Sequence, residues 1–171
     1  MGPVLAVAFF RNLNLGHRGS PGRAELLDAF TGVGVESAGS FQTNGTVIFE
    51  AAAPVRAATA ARDRLTAGCG YRDAVVVRRA AWLRALADRL GDLGPTAEVT
   101  LFDSPVDFPH AVPWRADQGR MTVVAADRRH AVCVNDRPHT AFGTPTVERL
   151  LGVPATSRAV TTLLRLAPRL R

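Results

Sequence analysis

The chain opens on an unbroken apolar run, Val-Leu-Ala-Val-Ala-Phe-Phe at positions 4 to 10. A run of that length with apolar side chains on both faces predicts a central strand. The stretch Arg-Asn-Leu-Asn-Leu-Gly-His-Arg-Gly-Ser-Pro follows at 11 to 21. Ser20 and Pro21 then predict a helix start, with Ser20 as N-cap, Pro21 in the first turn and Ala24, Leu27 and Phe30 along one face. Gly32 or Gly34 ends it. Two strand-like segments, Glu-Ser-Ala-Gly-Ser-Phe-Gln and Thr-Val-Ile-Phe-Glu, flank Thr-Asn-Gly, and Asn44-Gly45 predicts either a hairpin turn or a kink. An Ala-rich helix from Pro54 to about Gly68 and a strand through Val75, Val76 and Val77 complete the first half. Strand, helix, strand, strand, helix, strand over about 75 residues predicts an α+β fold of ferredoxin-like type.

Beyond Arg79 the pattern is less regular. Trp82, Leu83, Leu86 and Leu90 recur at helical spacing, and Ala97 to Phe102 read as a strand. The segment 103–119 holds three prolines and no periodicity, which predicts a long loop. Residues 120–136 predict a hairpin turned at Asp127–Arg129. Thr144 and Pro145 predict a short helix ended by Gly152, and 156–171 predict a terminal amphipathic helix with Val160, Leu163, Leu164 and Ala167 on one face. The expected organisation is a ferredoxin-like subdomain over 1–79 and a smaller, helix-rich α+β subdomain over 80–171. No internal sequence repeat is visible.

Composition narrows the classes. Of 171 residues, 47% are apolar and 21% charged, enough for a packed core. No apolar stretch is long enough for a membrane span, and the N-terminus lacks the features of a signal peptide. The two cysteines, Cys69 and Cys133, lack metal-ligand spacing, which predicts a reduced, cytoplasmic protein. The net charge is +6, carried by 21 arginines and no lysine. Residues 1–80 hold nine Arg against six acids and residues 81–171 twelve against nine, so each part is +3 and the excess is spread. That distribution makes nucleic acid the lesser reading, since polyanion binding favours a concentrated basic surface.

Three stretches resemble one bacterial family, the domain of unknown function 1697. Its strand followed by Arg-Gly-Ile-Asn-Val-Gly-Gly is similar to Arg11-Asn-Leu-Asn14-Leu-Gly16-His17, matching at Arg11, Asn14 and Gly16. Its Ser-Gly-Asn-Val-Val-Phe is similar to Asn44-Gly45-Thr-Val47-Ile-Phe49. Its Thr-Thr-Arg-Asn-Trp-Asn-Thr resembles Thr156-Ser-Arg158-Ala-Val-Thr-Thr162, with both Asn and the Trp replaced. The resemblance implies a two-part α+β fold with a ferredoxin-like first half, and it implies no reaction.

A glycine-containing turn between a buried strand and a helix N-terminus offers unpaired amides and a positive dipole end, suited to an anion. Arg11 and Arg18 would add charge-assisted contacts, with Asn14 and Gly16 in the turn. The competing reading pairs Arg11 with a carboxylate across the sheet and leaves Asn12 and Asn14 to satisfy backbone. If the family-like segments converge, Gln42, Asn44, Thr156 and Arg158 join the same cleft; Thr156 would otherwise cap the last helix. The preferred expectation is a small anionic ligand, a nucleotide, phosphate or carboxylate metabolite, bound by a monomer or homodimer. The alternatives are a nucleic-acid module using scattered Arg, and an enzyme of unknown reaction with 103–119 as a lid. No catalytic set stands out. Cys133 and His130 lie three positions apart on one strand and face opposite ways, and Phe41 and Phe49 are the only aromatics placed to stack bases. Asp103, Asp107 and His110 are a weak metal candidate, so no metal and no cofactor is expected.

Overall fold

The first apolar run forms β1 (Val4–Phe10), and both its faces are buried: Ala6, Val7, Ala8, Phe9 and Phe10 are each 0% exposed. It is followed by α1 (Arg23–Thr31), β2 (Ala38–Phe41), β3 (Thr46–Ala51), α2 (Pro54–Cys69) and β4 (Val75–Arg79). The computed structural model describes residues 2–91, 93–116 and 119–171. It divides the chain into two units, Met1–Trp82 with Leu170–Arg171, and Leu83–Arg169, the division falling within α3 (Ala80–Leu90).

In the first unit the four strands form an antiparallel sheet in the order β2-β3-β1-β4. Ala6, Ala8 and Phe10 share a core with Leu26, Ala29 and Phe30 of α1 and Ala58, Ala61 and Leu65 of α2. Alanine on both sheet and helices lets the layers approach closely, and Phe30 fills the remaining space at 6.1 Å from the Phe10 ring and 5.0 Å from Phe49. Two local expectations, the start of α1 and its buried face, are corrected. Helix α1 starts after Gly22, not Ser20, because the Glu25 carboxylate accepts the Gly22 amide at 2.7 Å. Its buried face is Leu26, Ala29 and Phe30, leaving Ala24 exposed and Leu27 half-buried. Asn44-Gly45 closes a hairpin between β2 and β3, and a Cβ on Gly45 (φ +70°) would meet Phe10 and Leu13 at 3.0 Å.

The second unit holds β5 (Ala97–Phe102), β6 (Trp114–Ala116), β7 (Met121–Ala126), β8 (His130–Asn135), α4 (Gly143–Leu151), β9 (Ala155–Ala159) and α5 (Val160–Leu166), with a 3₁₀ turn at Ala167–Arg169. Its antiparallel sheet runs β6-β7-β8-β5-β9. This unit carries the larger of the two sheets together with most of α3 and with α4 and α5. The terminal helix also begins later than its Thr-Ser-Arg stretch predicts: residues 156–158 lie in β9, hydrogen-bonded to β5. Helix α4 is preceded by Phe142 rather than capped by Thr144.

The two units repeat one plan that the residues conceal. Without β6, the order β7-β8-β5-β9 matches β2-β3-β1-β4 strand for strand. Val7 faces Ile48 on one side and Arg78 on the other; Val99 faces Val132 and Arg158. In each unit the last sheet strand passes straight into a helix, β4 into α3 and β9 into α5. The difference lies between the first two strands. Where the first unit has α1, the second has residues 103–113 and β6.

Candidate functional site

The opening loop is tied down at its start. Arg11 donates through Nη1 to both oxygens of Asp73, at 3.0 and 2.9 Å, and Asn12 Nδ2 donates to Asp73 Oδ2 at 2.9 Å. The Ala74 amide takes Asp73 Oδ1 at 2.8 Å, and the Tyr71 hydroxyl donates to the Arg11 carbonyl at 2.6 Å. Asp73 thus receives guanidinium, carboxamide and amide together, and the chain turns through Asn12 at φ +53°. This side-chain pairing links the end of β1 to the entry of β4.

Five amides of this segment have backbone partners of their own. Arg11 donates to Ala74 O at 2.9 Å, Leu15 to Thr43 O at 2.8 Å, Gly16 to Pro21 O at 3.2 Å, His17 to Asn14 O at 3.2 Å and Ser20 to His17 O at 3.0 Å. With Gly22 bound to Glu25, the α1 N-terminus meets its own carboxylate. These bonds fix the shape of the loop at Arg11 and Gly16. Asn14 and Arg18 remain exposed on it.

The second family-like segment does reach this loop. The bonds Phe10 N to Gly45 O and Leu15 N to Thr43 O join the loop to the hairpin turn at 42–45. There Gln42 (φ +60°) accepts Ser40 Oγ and Arg23 Nη2 on its carbonyl, and Asn44 Oδ1 accepts Thr46 Oγ1 at 2.8 Å. Both residues serve the turn. Thr156 and Arg158 belong to the second unit. Thr156 is 3% exposed in β9 and is no helix cap. Arg158 is 7% exposed, and its Nη1 folds back to Thr156 Oγ1 at 2.9 Å and Ser157 O at 2.8 Å. The guanidinium is buried and bonded to its own strand. Arg78, its counterpart in β4, is equally buried, donates to Val77 O at 2.8 Å and lies over the Trp82 ring.

The remaining chemistry is quiet. Burial and then the Glu98 charge, against a weaker lowering bond from Thr100, push the Cys133 thiol up to about 12, so it is no nucleophile. His130 Nδ1 pairs with Asp127 Oδ1 at 2.8 Å at the β7–β8 turn. Burial raises the Asp127 carboxyl, but the Arg129 amide, His130 charge and His130 hydrogen bonds outweigh it and hold the group low. Asp107 pairs with Arg128, and His110 stacks on Trp114 at 4.4 Å; among the described residues no three His, Cys, Asp or Glu side chains gather as a metal site needs. Phe49, 1% exposed, is a core residue and not a stacking platform.

The proline-rich segment packs against the core of the second unit. Val106, Phe108 and Trp114 pack on the core around Phe102, Met121 and Val123, and the Val106 amide bonds Arg128 O at 2.9 Å. Asp103 N bonds Pro154 O at 2.8 Å. Residues 117 and 118 of the expected lid lie outside the described residues.

A feature that sequence reasoning missed is a buried polar cluster beside α4. Glu98, 4% exposed, accepts Asn135 Nδ2 and the Gly143 amide, both at 2.9 Å. Thr100 Oγ1 bonds Ser157 Oγ at 2.8 Å, and Ser157 bonds Thr144 Oγ1 at 2.8 Å. Glu98 within an apolar strand was the available signal. Its carboxylate caps α4 from the sheet side, and Gly143 leaves the room for it.

Three comparisons place the chain among known proteins. No curated protein matches it. Its fold is similar to that of the conserved bacterial protein SP0830 from Streptococcus pneumoniae, with a TM-score of 0.66 and 13% identity over 99% of each chain. Among the described residues no helix is long and apolar enough to cross a membrane. Residues 5–106 match the family described as "Protein of unknown function (DUF1697)", which spans the opening loop, the hairpin turn and the start of the second unit, and the chain belongs to that family.

Proposed function

We propose that the protein is a binding module for a small anionic ligand, contacted by exposed side chains on the rim where the opening loop meets the hairpin turn. The observation that carries this reading is the pair of hydrogen bonds from Phe10 and Leu15 to the turn at 42–45, which hold the rim in shape while Asn14, Arg18 and Arg23 stay exposed. Arg23 Nη2 lies 3.4 Å from Gln42 O, a weak bond that an anion with better geometry displaces. Two exposed guanidiniums suit phosphate or carboxylate, and Arg11, Gly16, Gln42 and Asn44 act as the scaffold beneath them.

The finer architecture belongs to the same proposal. The strand order β2-β3-β1-β4 with α1 and α2 against one face supports a ferredoxin-like first domain ending near Arg79, with residues 80–171 as the second. Two free cysteines support a reduced, cytoplasmic setting.

The test is thermal shift with inorganic phosphate, AMP and citrate. A ligand at one hundred times its Kd adds about 2.7 kcal/mol. Arg18→Ala and Arg23→Ala should abolish the shift, whereas Arg11→Ala should lower the melting temperature yet leave the shift. No stabilisation from any anion, or a shift lost only in Arg11→Ala, overturns the proposal.

A further inference from the structure

Between α1 and α2 of the first unit lies a cleft of about 440 Å³, within the range of small-ligand sites. Its floor is apolar: Ala29 and Leu65 are 5% and 3% exposed. Its walls carry opposite charges. On α1, Glu25 and Asp28 stand one turn apart; on α2, Arg64 faces the same space. Neither the Asp28 carboxylate nor the Arg64 guanidinium has a side-chain hydrogen bond or ion pair among the described residues, and Glu25 uses one oxygen on Gly22. The last turn of α2, Ala67 to Cys69, adds the negative end of a helix to the acidic side.

An anion alone would meet two carboxylates here, and a cation alone would meet Arg64. A molecule carrying both charges satisfies each wall. We infer that this cleft binds a small zwitterion of α-amino-acid type, its ammonium on Asp28 and Glu25, its carboxylate on Arg64 and its side chain over Ala29 and Leu65. This site is separate from the anion-binding rim and does not rest on it.

Gly32 offers a gentle way to disturb the arrangement. The Arg64 guanidinium lies within 2.5–2.6 Å of where a Cβ on Gly32 would sit, so alanine there must displace it. The Gly32 backbone, at φ −66° and ψ −9°, accepts alanine without strain.

The experiment is an NMR amide titration of the full chain with L-alanine and L-leucine, with acetate and methylamine as single-charge controls. Saturable shifts at Ala29, Ala67 and Gly68 are expected with the amino acids and not with the controls. Arg64→Gln and Asp28→Asn should each weaken binding at least tenfold, and Gly32→Ala should weaken it in a protein that still melts cooperatively. Arg18→Ala, which disables the rim, should leave it unchanged. The inference is overturned by the absence of saturable shifts with either amino acid. It is equally overturned by equal binding of acetate or methylamine alone, by an Arg64→Gln protein of unaltered affinity, or by loss of binding in Arg18→Ala.

Discussion

The two units solve one topological problem with different materials. In the first, the sheet face carries Ala6, Ala8, Phe10 and Phe49, and two helices cover it. In the second, the corresponding positions carry Glu98, Thr100, Phe102 and Cys133, and α4 shares the covering with an irregular segment. Only the phenylalanine is kept. The lesson is that strand order and register tolerate wide changes of chemistry, provided each buried polar group finds a partner. Glu98 is tolerated because a helix N-terminus and Asn135 reach it; Cys133 is tolerated as a neutral thiol.

The largest effects should come where the units agree. Phe10→Ala and Phe102→Ala, each 0% exposed, should both cost about 3–5 kcal/mol in urea unfolding. A much smaller loss at one of them would break the equivalence. The covering elements should differ: Phe30→Ala should fall in the same range, but Phe108→Ala, half-buried on the proline-rich segment, should cost about 1–2 kcal/mol.

Next come substitutions that touch the polar cluster alone. Glu98→Ala strands the Gly143 amide and removes one of three acceptors from Asn135 Nδ2, and should cost about 1–3 kcal/mol. Gly143→Ala drives a Cβ into Thr100 Oγ1 and the Glu98 carboxyl and should cost about 1–3 kcal/mol. Neutral outcomes at both would mean that α4 is not held by that carboxylate.

Arg11→Ala should cost about 1 kcal/mol, because the pair with Asp73 is partly exposed at 24% and 27%. A double-mutant cycle with Asp73→Ala should show the two coupled.

The last effect is one of pH, and it is silent below about pH 9. The Cys133 thiol lies above its ordinary 9.0, at about 12 in the folded protein, chiefly through burial and then the Glu98 charge. The folded state therefore holds a proton that the unfolded state releases. The stability this contributes is whole below about pH 9 and is lost as pH rises toward 12. At pH 8, iodoacetamide should modify Cys69 in the native protein and reach Cys133 only after unfolding.

What the residues declare along the chain follows distance. The first strand, the Ala-rich helix and both hairpins rest on local rules, and all four appear. The errors fall where a long-range contact outweighs a local rule. Ser20-Pro21 satisfies the pattern for a helix start, yet Glu25 sets it at Gly22. Thr156 resembles a cap, yet pairing of 155–159 with β5 draws it into a strand. The Arg11 bond spans 62 positions to Asp73, and only the residue types hinted at it. The repeated plan was hidden because alanine faces glutamate, and phenylalanine faces cysteine, in the two copies.

Native-state hydrogen exchange reads most directly whether the amides of Arg11, Leu15 and Gly16 are bonded within the fold. The amides of Arg11, Leu15 and Gly16 should be protected well beyond their intrinsic exchange rates, without any added anion. Exchange of all three at unprotected rates, slowed only when phosphate is added, would contradict it and restore an open backbone cradle.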